Sequence, residues 1–181
     1  DKKCKTVRLW IKKGILRLPS EDAPMILIGP GTGIAPMRAL IQEQTYKYGT
    51  NKNNKDSCNR GYRHALFFGN RHLAKDYLYK DELNNYAEHY EWRVFTAFSR
   101  DQPNKIYVQH KIIENQQFVW DILKNENAIL FISGSSKGMP RDVQLSLESI
   151  VQTCGNKSEK EAKTFILQMQ NSGRYVTECW S

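Results

Sequence analysis

The sequence predicts an α/β fold, in which a doubly wound, mostly parallel sheet of five strands carries helices on both faces. Short apolar runs alternate along the chain with longer segments whose apolar residues follow helical spacing. The apolar runs also end in glycine or polar loops, as buried parallel strands do. With 181 residues and 40% hydrophobic content, the chain is long enough to bury one sizeable core.

The first strand and helix follow from residues 25–49. The run "MILIG" at 25–29 is continuously apolar and ends in glycine, which predicts a buried strand. Residues 35–49 place Met37, Leu40 and Ile41 on one side of a helix, with polar residues elsewhere.

The remaining elements alternate in the same way. Further strands are predicted at 64–69, 92–98 and 128–133, with a strand or extended tail at 174–180. Helices are predicted at 80–89, 140–154 and 158–173, with one broken helix or two short ones at 107–125. Pro140 opens one helix in its first turn. Another has Ser158 as N-cap, Glu161 as its capping-box partner and Gly173 as terminator.

The domain is predicted to cover residues 25–181. Residues 1–24 form the tail of a preceding domain or a linker, and the absence of an initiator Met indicates a piece of a longer protein. A polar, Asn- and Lys-rich insertion is expected at 48–63. The chain has no apolar run of the roughly 20 residues that span a bilayer, and no secretory leader is expected.

The net charge is +8, which is compatible with nucleic acid, phosphorylated ligands or an acidic protein partner. No zinc-finger, RNP or recognition-helix pattern lies beside the charge, so no nucleic acid is expected. The cysteines are scattered and are expected to be reduced thiols that bind no metal. The histidines are dispersed and are expected at the surface or in turns: His64, His72, His89 and His110.

Four polar stretches follow the predicted strands, namely "GPGTGIAP", "GNRH", "SRDQPNKIYVQ" and "GSSKGMPRD". Ligands of open α/β sheets bind where the carboxyl ends of the strands meet, so these stretches predict a binding crevice. Gly29, Gly31 and Gly33 precede a helix, whose N-terminus offers unpaired N–H groups to phosphate. Their spacing is neither G-x-G-x-x-G nor a P-loop.

The stretch "AFSRDQPNKIYVQH" gathers donors for a second phosphate. Arg100 has a planar fork and Lys105 a point charge, while Ser99 and Tyr107 add hydroxyl groups and Gln109 an amide. A 2′-phosphate on a dinucleotide needs such a set.

An NAD site would instead place an acid about 20 residues after the glycines. Counting from Gly33 reaches Asn53 and Asn54, and the nearest acid, Asp56, follows no strand. NADP is therefore favoured over NAD.

Several motifs occur together in one order: "GPGTGIAP", "FFGNR", "AFSR" with "KIYVQH", "GSSKGMPRDV" and "RYVTECWS". As a set they resemble the NADP(H)-binding module of the ferredoxin–NADP⁺ reductase superfamily, and more narrowly that of the diflavin reductases. Among these, the stretch at 97–112 and the ending "TECW" look most like the cytosolic branch that serves iron–sulfur protein assembly. The same domain of NADPH–cytochrome P450 reductase, methionine synthase reductase or sulfite reductase flavoprotein remains the alternative.

The resemblance implies roles for individual residues. Thr32 would contact the nicotinamide–pyrophosphate region, and Asp142 would lie beside the nicotinamide-side loop that begins at Gly134. Trp180 would stack on the FAD ring, and Glu178 would stabilise the developing nicotinamide cation. Ser133 stands where P450 reductase has a cysteine that assists hydride transfer. The implied coenzyme-binding set is Gly31, Thr32, Gly33, Ser99, Arg100, Lys105, Ile106, Tyr107, Val108, Gln109, Gly134, Asp142 and Trp180.

The resemblance also implies an NADPH-dependent flavoprotein oxidoreductase of the cytoplasm. This chain would bind NADPH, while FAD and FMN would lie in other domains of the same polypeptide. The acceptor would be the iron–sulfur protein anamorsin. Because the flavin-binding motifs of the family are absent, the chain by itself is expected to pass no electrons. A regulatory nucleotide-binding domain without redox role and a basic nucleic-acid-binding domain are the competing hypotheses.

Overall fold

The computed structural model describes residues 8–11, 13–19, 22–49 and 62–180, and these contain one parallel sheet. The strands are β1 (Met25–Ile28), β2 (His64–Asn70), β3 (Trp92–Phe98), β4 (Ile129–Ser135) and β5 (Tyr175–Trp180). They lie in the order β3-β2-β1-β4-β5, and every pairing is parallel. The predicted sheet of five strands is confirmed, and the final segment is a strand rather than a tail.

Seven α-helices connect or flank the strands within these ranges. They are α1 (Ile34–Tyr48), α2 (Leu73–Asp76), α3 (Lys80–His89), α4 (Val108–Glu114), α5 (Gln116–Leu123), α6 (Met139–Thr153) and α7 (Glu159–Asn171). The segment at 107–125 is two short helices that meet at Asn115. Helix α2 was not predicted, because four residues are too few to show a helical period.

Helices cover both faces of the sheet, because alternate residues of each strand point to opposite sides. Ile26 and Ile28 of β1 belong to a core cluster with α4, α5, α6 and α7. Met25 and Leu27 belong to a second cluster with α1 and α3. All four β1 side chains are almost completely buried. The doubly wound architecture predicted from the apolar runs is therefore confirmed.

The order of the strands creates a switch point between β1 and β4. From β1 the chain moves outward to β2 and β3, and it then returns to place β4 on the other side of β1. The loops that follow β1 and β4 consequently leave the sheet toward opposite faces. Such a divergence opens a crevice at the carboxyl ends of the strands.

Helix α7 begins and ends as predicted. The backbone N–H of Ser158 donates to Glu161 Oε2 at 2.8 Å, and the N–H of Glu161 donates to Ser158 Oγ at 3.4 Å. Gly173 follows the helix with a φ of +72°, a conformation that favours glycine.

The expectation that His64 lies at the surface or in a turn is wrong. His64 begins β2, is 0% exposed and stacks on Trp92 with ring centroids 4.6 Å apart. Gln44 from α1 lies 3.1 Å from His64 Nε2. Burial lowers the pKa of His64 to about 4, and the neighbouring Arg63 charge acts in the same direction. His64 is thus a neutral core residue at pH 7.

The insertion predicted at 48–63 falls largely outside the described residues, and the domain boundary proposed at residue 24 also stays a prediction. Leu16 and Leu18 pack, half-buried, against the α1–α3 core cluster. Cys154 and Cys179 are free thiols, as expected, whereas Cys4 and Cys58 lie outside the described residues. No helix of the described ranges has the length and apolar character needed to cross a bilayer.

Candidate functional site

A cleft of about 500 Å³ lies at the carboxyl edge of the sheet. Residues that follow β1, β2, β3 and β4 line it, which places the cleft at the switch point of the fold. Six residues of the predicted coenzyme-binding set contribute to its wall: Gly31, Ser99, Tyr107, Val108, Gln109 and Asp142. The crevice predicted from four polar stretches is therefore present, with residues of all four stretches in its lining.

The glycine loop after β1 forms one wall of the cleft. Gly31 has a φ of +58°, which side chains other than glycine rarely adopt. A Cβ at Gly33 would overlap the carbonyl oxygen of Ser133, so the loop after β1 packs directly on β4. Thr32 is exposed in the same turn and does not line the cleft.

Helix α1 begins directly after this loop, at Ile34. No side chain caps its first turn, and its first turn contains no acidic residue. The helix is 15 residues long, so its N-terminal N–H groups and its dipole favour an anion at this wall.

The loop between β3 and α4 forms a second wall. The hydroxyl group of Ser99 donates to the carbonyl oxygen of Asn70 at 3.3 Å, which holds Ser99 against the end of β2. Tyr107 is 42% exposed at the start of α4, and its backbone N–H donates to His110 Nδ1 at 3.0 Å. Gln109 Nε2 lies 3.4 Å from Asp142 Oδ2 and so joins the starts of α4 and α6.

The structure treats the other predicted residues of this loop differently. Arg100 and Lys105 are exposed and do not belong to the cleft lining. Ile106 is half-buried and packs against the core cluster of Ile26.

Four cations in the loops at this edge have no ion pair within the described residues. Arg71 and Lys137 line the cleft, while Arg100 and Lys105 are exposed in the loop after β3. Elsewhere in the described chain, Arg38 and Arg63 are paired with carboxylates. An unpaired group of positive charges beside a helix N-terminus is suited to a ligand with several phosphates.

Asn70, Arg71 and Lys137 are cleft residues that sequence reasoning did not single out. Their stretches, "GNRH" and "GSSKGMPRD", were recognised only as loops at strand ends. Position directly after an apolar strand was the available signal. It does not tell which side chain of a loop faces the crevice.

The three residues with an expected catalytic role lie outside the cleft lining. Ser133 is 0% exposed, and its Oγ has no hydrogen-bond partner among the described residues. Strand register places Glu178 beside Ser133 and Trp180 beside Ser135, a residue of the cleft wall. The Trp180 ring is 44% exposed at the end of the edge strand.

Cys179 lies between Glu178 and Trp180. Burial raises the pKa of the Cys179 thiol, although a hydrogen bond with the backbone of Gly134 acts in the opposite direction. The thiol is therefore protonated at neutral pH. The described residues contain no group of three or more His, Cys, Asp or Glu side chains that could hold a metal ion.

Fold and site together are those of a nucleotide-binding α/β domain. Residues 27–145 match the model of the oxidoreductase NAD-binding domain family, so the chain belongs to that family. The resemblance to diflavin reductases is confirmed by curated relatives. The chain is 37% identical over 176 residues to NADPH-dependent diflavin oxidoreductase 1 of Xenopus laevis and 38% identical over 176 residues to that of Danio rerio. It is 36% identical over 176 residues to NADPH–cytochrome P450 reductase of Musca domestica.

Each of these alignments covers 97% of this chain but only 27%, 28% and 25% of the respective relative. The chain thus spans about a quarter of the length of the relatives that it matches. The two kinds of reductase match at almost equal identity, so overall similarity supports the shared class more strongly than either branch.

Proposed function

We propose that this chain is the NADPH-binding module of a diflavin reductase and that the cleft at the carboxyl edge selects NADPH over NADH. The supporting observation is the convergence, at the switch point, of an uncapped helix N-terminus, a glycine cradle and four cations that form no ion pair in the described part of the chain. Two groups of contacts are available, one for the pyrophosphate and one for the 2′-phosphate.

The pyrophosphate would lie against Gly31 and the first turn of α1, because the absence of a Cβ lets the ligand approach the backbone. Lys137, in the loop after β4, would add a positive charge from the other side of the crevice. The fit of the pyrophosphate to this site therefore depends on Gly31, on the N–H groups of the first turn of α1 and on Lys137.

The 2′-phosphate and adenosine would lie against the loop after β3. Ser99 and Tyr107 offer hydroxyl groups at the cleft wall, and Arg100 and Lys105 offer charge beside it. An acid that would hold the free ribose hydroxyls of NAD is not found at the end of β2, where Asn70 and Arg71 stand.

At the nicotinamide end, Glu178 and Trp180 would act from β5. The carboxylate of Glu178 would stabilise positive charge that develops on the nicotinamide ring, and Ser133 lies beside it in the strand register. Trp180 would cover the flavin ring until the nicotinamide takes its place. The bound coenzyme would supply a hydride to FAD, which another part of the polypeptide would hold.

For the whole protein, we propose that electrons pass from FAD through FMN to an acceptor protein in the cytoplasm. The "TECW" ending and the Xenopus and Danio relatives named NADPH-dependent diflavin oxidoreductase 1 support the branch that the sequence resemblance links to iron–sulfur protein assembly, with anamorsin as acceptor. P450 reductase remains the alternative, since relatives of that name match along the same residues.

The test of coenzyme selection is Arg100→Ala in this chain. Hydrogen bonds to charged groups contribute about 1.5–3 kcal/mol, so NADP⁺ affinity should fall roughly 10- to 100-fold. NAD⁺ affinity should change little, because NAD⁺ lacks the 2′-phosphate. Isothermal titration calorimetry with both coenzymes and with adenosine 2′,5′-bisphosphate measures the difference.

Arg93→Ala is the matched control, since Arg93 and Arg100 lie at opposite ends of β3 and both are exposed. Its removal should leave both coenzyme affinities unchanged. Equal losses for NADP⁺ and NAD⁺ in Arg100→Ala would show that Arg100 does not read the 2′-phosphate. Tight binding of RNA by the unmodified chain, with no response to NADP⁺, would overturn the proposed function altogether.

A further inference from the structure

A carboxylate directly after Arg100 joins the loop after β3 to the loop after β2. Asp101 Oδ2 accepts a hydrogen bond from the backbone N–H of Leu73 at 2.8 Å, and Asp101 Oδ1 lies 3.0 Å from His72 Nδ1. Leu73 is the first residue of α2, the short helix that follows the loop carrying Arg71. The Asp101 side chain, in the loop after β3, therefore holds the end of the loop after β2.

Backbone hydrogen bonds continue the same connection. The N–H of Ser99 donates to the carbonyl oxygen of Asn70 at 2.9 Å, and the N–H of Arg100 donates to that of Arg71 at 2.9 Å. The two arginines thus lie on neighbouring chain segments whose relative position is fixed by backbone contacts on one side and by Asp101 on the other.

Neither Arg71 nor Arg100 has a carboxylate partner within the described residues, so both stay available to a phosphate. Asp101 makes no ion pair with either arginine. The hydrogen bond from the N–H of Leu73 is the main cause that lowers the pKa of the Asp101 carboxyl group, and the hydrogen bond with His72 acts in the same direction. It is therefore a charged acceptor at neutral pH.

We propose that Asp101 is a positioning residue for coenzyme selection: its carboxylate ties the loop after β2 to the loop after β3, so that Arg71 and Arg100 converge on one 2′-phosphate. This inference rests on the proposed function of the cleft. Asp101 acts through the two arginines, and its removal weakens NADP⁺ binding while the pyrophosphate contacts stay intact.

The primary test is Asp101→Ala, with titrations of NADP⁺, NAD⁺ and adenosine 2′,5′-bisphosphate. We expect the affinities for NADP⁺ and the bisphosphate to fall about fivefold to tenfold, since a preorganised charged contact is lost. The NAD⁺ affinity should stay within about twofold. Asp101→Asn keeps one acceptor oxygen for the N–H of Leu73 and should restore part of the loss.

A double-mutant cycle separates positioning from local stability. If Asp101 acts through Arg100, the variant that lacks both side chains should lose little more NADP⁺ affinity than Arg100→Ala alone. Asp121→Ala is the control, because Asp121 is an exposed carboxylate that pairs with Lys124 at the far end of the domain. It should change neither affinity nor selectivity.

The outcomes distinguish this inference from the function on which it rests. Independent losses from Asp101 and Arg100 that add in full would overturn the positioning role, and so would equal losses for NADP⁺ and NAD⁺ in Asp101→Ala. A lower melting temperature with unchanged selectivity would reduce Asp101 to a structural helix cap. If the unmodified chain binds no NADP⁺, the proposed function fails first.

Discussion

The amino and carboxyl edges of the sheet differ in whether their positively charged side chains form ion pairs. At the amino edge, Arg63 forms ion pairs with Asp22 and Glu91, and the N–H groups of Arg63 and His64 donate to the carbonyl oxygen of Glu91. At the carboxyl edge, four loop cations have no ion pair within the described residues, although His72 lies 3.0 Å from Asp101. Arg71 and Arg100 are examples that lie on adjacent loops.

The difference indicates which charged groups are already paired within the protein and which are available to bind a ligand. A paired, half-buried network supports the fold but has few groups left to bind another molecule. Unpaired cations beside an open cleft contribute little to the free protein and stay available to an anion. The amino edge is therefore expected to determine stability, and the carboxyl edge coenzyme affinity.

The largest expected effect comes from the two tryptophans at opposite edges. Trp92 is 0% exposed at the start of β3, whereas Trp180 is 44% exposed at the end of β5. Trp92→Ala should lower the free energy of unfolding by about 3–5 kcal/mol. Trp180→Ala should change it by about 0.5 kcal/mol or less. Urea unfolding of both variants measures the contrast.

The assignment of stability to the amino edge and of coenzyme affinity to the carboxyl edge would be wrong if Trp92→Ala weakened NADP⁺ binding while the protein is still folded. Affinities are therefore measured at a temperature where the far-UV spectrum of the variant is native. Trp92→Phe, which keeps an aromatic ring for His64 to stack on, provides the milder variant. A stability loss in Trp180→Ala as large as that in Trp92→Ala would contradict the division between the edges.

The sequence predicts most of the sheet, because buried parallel strands are continuous apolar runs. The strand at 92–98 and the helix at 80–89 have the predicted bounds. His64 was misjudged because it begins such a run, and its burial depends on partners from other elements. Gln44 on α1 and Trp92 on β3 cover it, and neither contact is visible in local sequence.

The candidate site is predictable in part for the same physical reason. A loop directly after an apolar strand must lie at the carboxyl edge, so "SRDQPNKIYVQ" could be placed in advance. Which residues face the cleft depends on the path of the loop across its neighbours. For Arg71, the backbone hydrogen bond from Arg100 joins the loops after β2 and β3 and so fixes the position of its backbone at the cleft. The catalytic roles of Ser133, Glu178 and Trp180 stay predictions.

The next largest effect is the pH dependence that His64 gives to the amino edge. Its pKa is about 4 in the folded protein and about 6.5 in the unfolded chain. The unfolded state therefore binds a proton more readily, and stability is lost as pH falls from 6.5 to 4. The loss from this residue should reach about 3 kcal/mol at pH 4, because each pKa unit corresponds to about 1.4 kcal/mol.

Comparison with a variant isolates this contribution from the carboxyl groups that titrate in the same range. His64→Gln should be less stable than the unmodified protein at pH 7, but its stability should fall less steeply between pH 6.5 and 4. His72→Gln is the control at the other edge, since His72 is half-exposed on the surface. Parallel pH curves for His64→Gln and the unmodified protein would rule out a buried neutral histidine.

The smallest expected effect concerns Lys137 at the carboxyl edge and separates the two phosphate sites. Lys137 follows β4, lines the cleft with Gly31 and is exposed, so it is expected to face the pyrophosphate, which NADP⁺ and NAD⁺ share. Lys137→Ala should weaken both coenzymes by the same factor, about threefold to tenfold. The exposed charge is screened by salt, so the factor should shrink between 0.1 M and 1 M ionic strength.

Lys124→Ala, whose lysine pairs with Asp121, should show no such change. A loss confined to NADP⁺ would place Lys137 on the 2′-phosphate and remove the distinction between the two phosphate sites.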